Sequence, residues 1–145
     1  MSIPCDKESL TETLSRRSNK LRTDLADSIS AIHLDFLEVC DDCSVLFSLT
    51  PAAWMRNPGG VMHGGIICTL MDVGMGIVVS SYKGHMCPTV DMHVEFIRPV
   101  RLDTPVIIRA ETSSIGKTLA YMRAKLWQGD ESQPCATGTA IYYAK

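Results

Sequence analysis

The sequence predicts an α+β domain: an antiparallel sheet against one long helix, preceded by an N-terminal helix. Three observations carry that reading. Residues 64–81 are apolar over most of their length and open on two glycines, as a buried helix would. The segments after it alternate apolar and polar residues with a period of two. The order is helix, two strands, long helix, four strands, and strands that follow one another in runs pair antiparallel.

Residues 9–29 pattern as an amphipathic helix. Ser9 and Glu12 form an S-x-x-E capping box, and Leu10, Leu14, Leu21 and Leu25 recur at helical spacing among charges. Residues 31–37 alternate, with Ile32, Leu34 and Phe36 on one face, and predict a strand. Cys40-Asp41-Asp42-Cys43 supplies a turn, and Val45, Phe47 and Leu49 a second strand that stops before Pro51. Residues 50–62, with two prolines and two glycines, read as a loop. In 89–97, Val90, Met92, Val94 and Phe96 face one way and Thr89, Asp91, His93 and Glu95 the other. Three more strands follow at 105–114, 118–128 and 134–143, the first two joined at Gly116-Lys117 as a hairpin. Residues 1–29 are thus a helical extension and 30–145 the domain proper.

At 145 residues the chain has one domain's length, enough to bury a core without staples. Hydrophobic residues make up 46% and charged residues 21%, with a net charge of −2 and no basic stripe, which argues against a nucleic-acid partner. The run Ile66 to Ser80 is broken by Thr69, Asp72, Gly74 and Gly76 and reads as too short for a membrane span. A polar, charged start without an apolar signal segment predicts a cytoplasmic protein, and six cysteines that are reduced rather than bridged. Cys40-x-x-Cys43 stands alone, whereas a structural zinc site needs four ligands, so no metal is predicted.

The chemistry concentrates between Asn57 and Asp72. Gly64 and Gly65 fall in the first turn of the long helix, where backbone N–H groups have no intrahelical partner. Without a Cβ they let a ligand oxygen approach, and the helix dipole favours negative charge there. A carbonyl bound at that point would be polarised. Asp72 is a carboxylate inside an apolar helix, costly unless paired or used. It lies seven residues after Gly65, on nearly the same helix face but roughly 10 Å along the axis. One carbonyl cannot meet both within one chain, so the spacing predicts a homodimer whose sites combine both protomers. Asn57 offers a hydrogen bond to water or to the opposite carboxylate, or plain turn chemistry before Pro58. His63 is placed to cap the helix, with a general-base role as the alternative.

Asn57, then His63-Gly64-Gly65, then Leu70-x-Asp72 resemble the hot-dog-fold acyl-CoA thioesterases of the phenylacetate-degradation and thioesterase superfamily member 2 type. The run Thr89 to Pro99 and the hairpin Ile115 to Ala120 extend the likeness across about residues 30–144. The resemblance implies hydrolysis of an acyl-CoA, aryl-acetyl or medium- to long-chain, with coenzyme A as part of the substrate and no cofactor. It implies a hot-dog fold, a curled antiparallel sheet of five to six strands wrapped round the long central helix, and dimers that often pair further into tetramers. Asp72 would be nucleophile or general base and Gly64 N–H the polarising donor. Asn57 of the other protomer would orient water, and Thr89 matches a position where a hydroxyl places it. Gly65, Asp91 and Phe96, together with Arg98, Ser114, Gly116, Lys117 and Thr118, match the region that holds substrate and coenzyme A. Two other classes stay open: a hot-dog hydratase or dehydratase, and a non-catalytic acyl-CoA-binding protein.

Overall fold

The structure, a computed structural model, describes residues 6–24 and 32–145. Helix α1 (Lys7–Asp24) leads, followed by strands β1 (Asp35–Val39) and β2 (Val45–Leu49), helix α2 (Gly64–Lys83), and strands β3 (Thr89–Phe96), β4 (Val106–Ile115), β5 (Leu119–Trp127) and β6 (Ala136–Tyr143). All six strands join one antiparallel sheet in the order β1-β2-β4-β5-β6-β3.

Helix α1 starts earlier than the Ser9–Glu12 box predicts. Asp6 Oδ1 accepts the N–H of Ser9 at 3.1 Å, so the aspartate three residues upstream is the cap and Ser9 lies inside the helix. Leu10 and Leu14 are buried as the periodicity requires. The side chain of Leu21 and residues 25–29, with Leu25, lie outside the described residues.

Strand β1 begins at Asp35 rather than near residue 31. Its register explains this: Asp35 pairs with Ser48, and β2 ends at Leu49 just ahead of Pro51, so residues 32–34 have no strand to pair with. Ile32 and Leu34 are buried nonetheless, as side chains of a coil segment. In the following turn Cys43 takes a left-handed φ of 63°. Cys43 is disulfide-bonded, which corrects the expectation that all the thiols are reduced; Cys40, Cys68, Cys87 and Cys135 are free. Arg109 fastens this turn to the β5–β6 connection. Its guanidinium bonds both oxygens of Glu131 at 2.9 and 3.1 Å and donates to Ser44 Oγ at 2.6 Å.

Helix α2 is the axis of the fold. Leu70, Met71, Met75, Val78 and Val79 are fully buried against Ile108, Met122, Leu126 and Ala136 of the sheet. By its 20 residues and mean hydropathy of 1.6 it is long and apolar enough to cross a membrane, contrary to the reading of the run as too short. Here the sheet takes up its apolar face, as for a core helix. Gly138 of β6 lets the two layers close: a Cβ there would stand 2.9 Å from the His93 carbonyl oxygen and 3.0 Å from Met71 Cε. Gly84 ends α2 in the left-handed conformation, φ 75°, its N–H bonded to Ser80 O.

Candidate active site

Two clusters sit on α2, one at its start and one two turns along it. At the start, the loop 50–62 is sutured into place. Met62 N–H bonds Val100 O at 2.9 Å and His63 N–H bonds Met55 O at 2.8 Å. Asn57 closes the turn before it, with its N–H on Val61 O at 2.8 Å and its Oδ1 accepting from Val61 N–H at 3.3 Å. The amide Nδ2 of Asn57 has no partner among the described residues.

His63 is the N-cap of α2. Its Nδ1 accepts the N–H of Gly65 at 2.9 Å, which requires the tautomer protonated on Nε2. Ile66 N–H turns back to His63 O at 2.9 Å. The first turn therefore has one N–H without a partner among the described residues, that of Gly64. Phe96 lies over it: a Cβ on Gly64 would meet the ring at 3.3 Å. The ring is itself largely exposed, so this end of α2 faces outward.

The second cluster centres on Asp72, which is half-buried. Thr89 donates its hydroxyl to Asp72 Oδ1 at 2.7 Å. Tyr142 donates to the same Oδ1 at 2.9 Å, its oxygen standing equally close to the Asp72 carbonyl. Burial, reinforced by the Asp72 charge and this hydrogen bond, pushes the Tyr142 phenol well above its ordinary value, so it remains a donor.

Alternation places Thr89 on the outer face with Asp91, His93 and Glu95; the structure places it inward. Register shifts between Thr89 and Asp91, so that Thr89 pairs with Tyr142 but Asp91 with Ile141. Val90 is the extra residue of this β-bulge and is exposed, not on the face of Met92 and Val94. Tyr142 carried no functional signal in the sequence beyond its place on the inner face of β6.

Asp72, Thr89 and Tyr142 share a cavity of about 550 Å³, within the range of small-molecule pockets. Its walls are mainly apolar: Leu14 of α1, Ile32, Leu34, Phe36, Val73 and Ile77 among them, with Met86 and Cys87 beside Thr89. The N-terminal helix thus lines the same space as the α2 carboxylate.

The remaining predicted residues divide between two regions. Gly116, Lys117 and Thr118 form the exposed β4–β5 tip at the C-terminal end of α2, where Lys83 Nζ reaches Gly116 O at 3.5 Å. Arg98 is at the other end of β3 and donates to Pro134 O at 2.8 Å. Asp91 and Ser114 lie on the outer face, in a row through Ile141 and Tyr121, with the sheet between them and the cavity. Among the described residues no group of three or more His, Cys, Asp or Glu side chains is placed to hold a metal ion.

The sequence profile of the thioesterase superfamily matches residues 59–135, which include Gly64, Asp72 and Thr89. The chain belongs to the thioesterase superfamily. Within it, the chain is 35% identical over 90 residues to a putative esterase, Ta0293, of Thermoplasma acidophilum, covering 61% of this chain and 67% of the relative. It is 31% identical over 71 residues to human acyl-coenzyme A thioesterase 13, covering 48% of this chain and about half, 51%, of the relative. Zebra fish thioesterase superfamily member 2 superposes with a TM-score of 0.80 over 93% of this chain and 98% of that one, at 18% identity. The fold of this superfamily member is accordingly the hot-dog fold, the sheet curled round α2.

Proposed function

We propose that the protein hydrolyses an acyl-CoA thioester to a carboxylic acid and free coenzyme A. One observation carries the reading above others: a hydrogen-bonded carboxylate, Asp72, stands in the wall of a mainly apolar cavity, on a helix whose first N–H has no partner among the described residues. The cavity suits an acyl group, the carboxylate suits water activation or attack, and the Gly64 N–H suits the oxyanion. The name of human acyl-coenzyme A thioesterase 13 supports coenzyme A as the carrier.

Two balanced routes lead to these products. In one, Asp72 takes a proton from water while the water oxygen bonds the carbonyl carbon; the C–S bond then breaks and the thiolate leaves with its electron pair, to be protonated. In the other, an Asp72 oxygen bonds the carbonyl carbon directly and expels the thiolate, and water hydrolyses the resulting anhydride. Oxygen-18 from solvent appearing in Asp72 after one turnover marks the second route.

The working unit in this reading is a homodimer. The exposed edge strand β3 and the exposed start of α2 form the shared face, so that Gly64 of one protomer approaches Asp72 of the other. Asn57 then presents its Nδ2 to the water. The same antiparallel arrangement brings Arg98 of one protomer towards Lys117 of the other, a cationic seat for the nucleotide phosphates.

Thiol release from a panel of acyl-CoAs, with a thiol reagent, tests the assignment. The wild type is expected to release thiol and Asp72→Asn to lose at least about a hundredfold. Equal slow release by both, across every acyl group, would leave a binding protein in its place.

A further inference from the structure

We propose that Tyr142 is a positioning residue for Asp72, holding Oδ1 so that Oδ2 is the oxygen that reacts. The inference rests on the thioesterase reading and adds to it which atom works and what aims it.

The geometry is specific. Oδ1 receives the Thr89 hydroxyl at 2.7 Å and the Tyr142 hydroxyl at 2.9 Å, the latter shared with the Asp72 carbonyl oxygen at 2.9 Å, while Oδ2 has no partner among the described residues. An oxygen accepting two hydrogen bonds is a poorer base and nucleophile than its bare neighbour. The two donors come from residues paired across β3 and β6, so their separation is set by the sheet and not by loop conformation. A carboxylate on a helix rotates about χ2 at little cost; two fixed donors on one oxygen remove that freedom.

The sequence provides for this contact. Tyr142 is buried, yet its hydroxyl needs a polar partner at depth, which Asp72 supplies. Gly76, one turn beyond Asp72, makes room for the ring: a Cβ there would touch Tyr142 Cε1 at 3.5 Å and its hydroxyl oxygen at 3.9 Å. The raised phenol pKa keeps the proton on Tyr142 across the neutral range.

Tyr142→Phe keeps the ring and removes the donor. Thr89→Val and the double variant complete a cycle. Expected for Tyr142→Phe is a kcat lowered roughly tenfold with KM within about twofold of wild type, as for loss of a hydrogen bond to a charged group that acts on the reacting oxygen. Far-ultraviolet circular dichroism and thermal unfolding should show the variant folded at the assay temperature. The double variant should lose more than the product of the two single losses, because each donor alone still holds the carboxylate. A Tyr142→Phe kcat within twofold of wild type, a loss confined to KM, or strictly multiplicative losses would overturn the proposal. Its failure differs visibly from failure of the thioesterase reading. If wild type works, Asp72→Asn does not, and Tyr142→Phe matches wild type, only the positioning role falls; if wild type releases no thiol from any acyl-CoA, both fall.

Discussion

Gly64 and Asp72 occupy one helix about two turns apart, some 12 Å along its axis at 1.5 Å per residue. A thioester carbonyl cannot touch both in one protomer, so variants defective in either should complement each other. Gly64→Pro removes the N–H at the first helical position, where proline is tolerated, and His63 already has the extended conformation (ψ 135°) that precedes proline. Gly64→Pro and Asp72→Asn, each inactive alone, should recover about a quarter of wild-type activity when unfolded and refolded together, from the intact site of each mixed dimer. No recovery despite mixed dimers in native mass spectra would deny that the two groups act on one carbonyl across the dimer.

Leu14 and Asp72 line one cavity from different helices. Leu14→Ala should enlarge the acyl space and move the kcat/KM maximum towards longer or bulkier acyl groups. Leu10, buried on the same helix but away from the cavity, is the control. Leu10→Ala should cost about 2–5 kcal/mol of stability, as Leu14→Ala does, without moving that maximum. Identical substrate profiles for the two variants would deny α1 a part in selectivity.

Tyr142 also gives the fold an alkaline limit. Its folded pKa lies above the ordinary 10.0, so above that pH the unfolded chain holds fewer protons than the folded one. Stability from this group is complete below about pH 10 and declines as pH rises towards the folded value. The unfolding temperature of wild type should therefore fall more steeply than that of Tyr142→Phe between about pH 9 and pH 11, by calorimetry. Tyr82, raised by burial, is present in both and cancels. Parallel curves would show that the phenol titrates alike in both states.

Gly138→Ala should destabilise the protein by about 1–3 kcal/mol, because the new methyl meets a backbone oxygen on β3 that cannot swing aside. Gly129→Ala, with nothing within 4 Å of its Cβ, pays only for its positive φ of 71° and should cost about 1 kcal/mol. Chemical denaturation of both variants checks the order; a Gly138→Ala at least as stable as Gly129→Ala would mean that β3 and β6 separate with ease.

Long periodic segments were legible in the sequence: α2 and strands β3 to β6 fall within a residue or two of their patterns. So was the separation of Gly64 from Asp72, which needs only helix geometry. What escaped depends on contacts distant in the chain or on near-equal local choices. Asp6 and Ser9 are both competent caps, and only the structure shows which one the helix uses. Tyr142 looks like any core aromatic on an inward strand position, since its partner stands 70 residues away. The start of β1 is set by where β2 stops, which alternation within residues 31–37 does not contain.

The bulge at Val90 has a consequence of parity. A strand of period two sorts its residues into odd and even, and one extra residue exchanges the classes on either side of it. Thr89 can therefore face α2 although it precedes a run whose odd-numbered members all face outward. Pairing Val90 regularly in the ladder, with the bulge ironed out, would restore one unbroken phase, send either Thr89 or Met92, Val94 and Phe96 to the wrong side, and force a choice between the carboxylate's hydroxyl and the core. By leaving one residue out of the pairing, the bulge thus reconciles two demands on one strand.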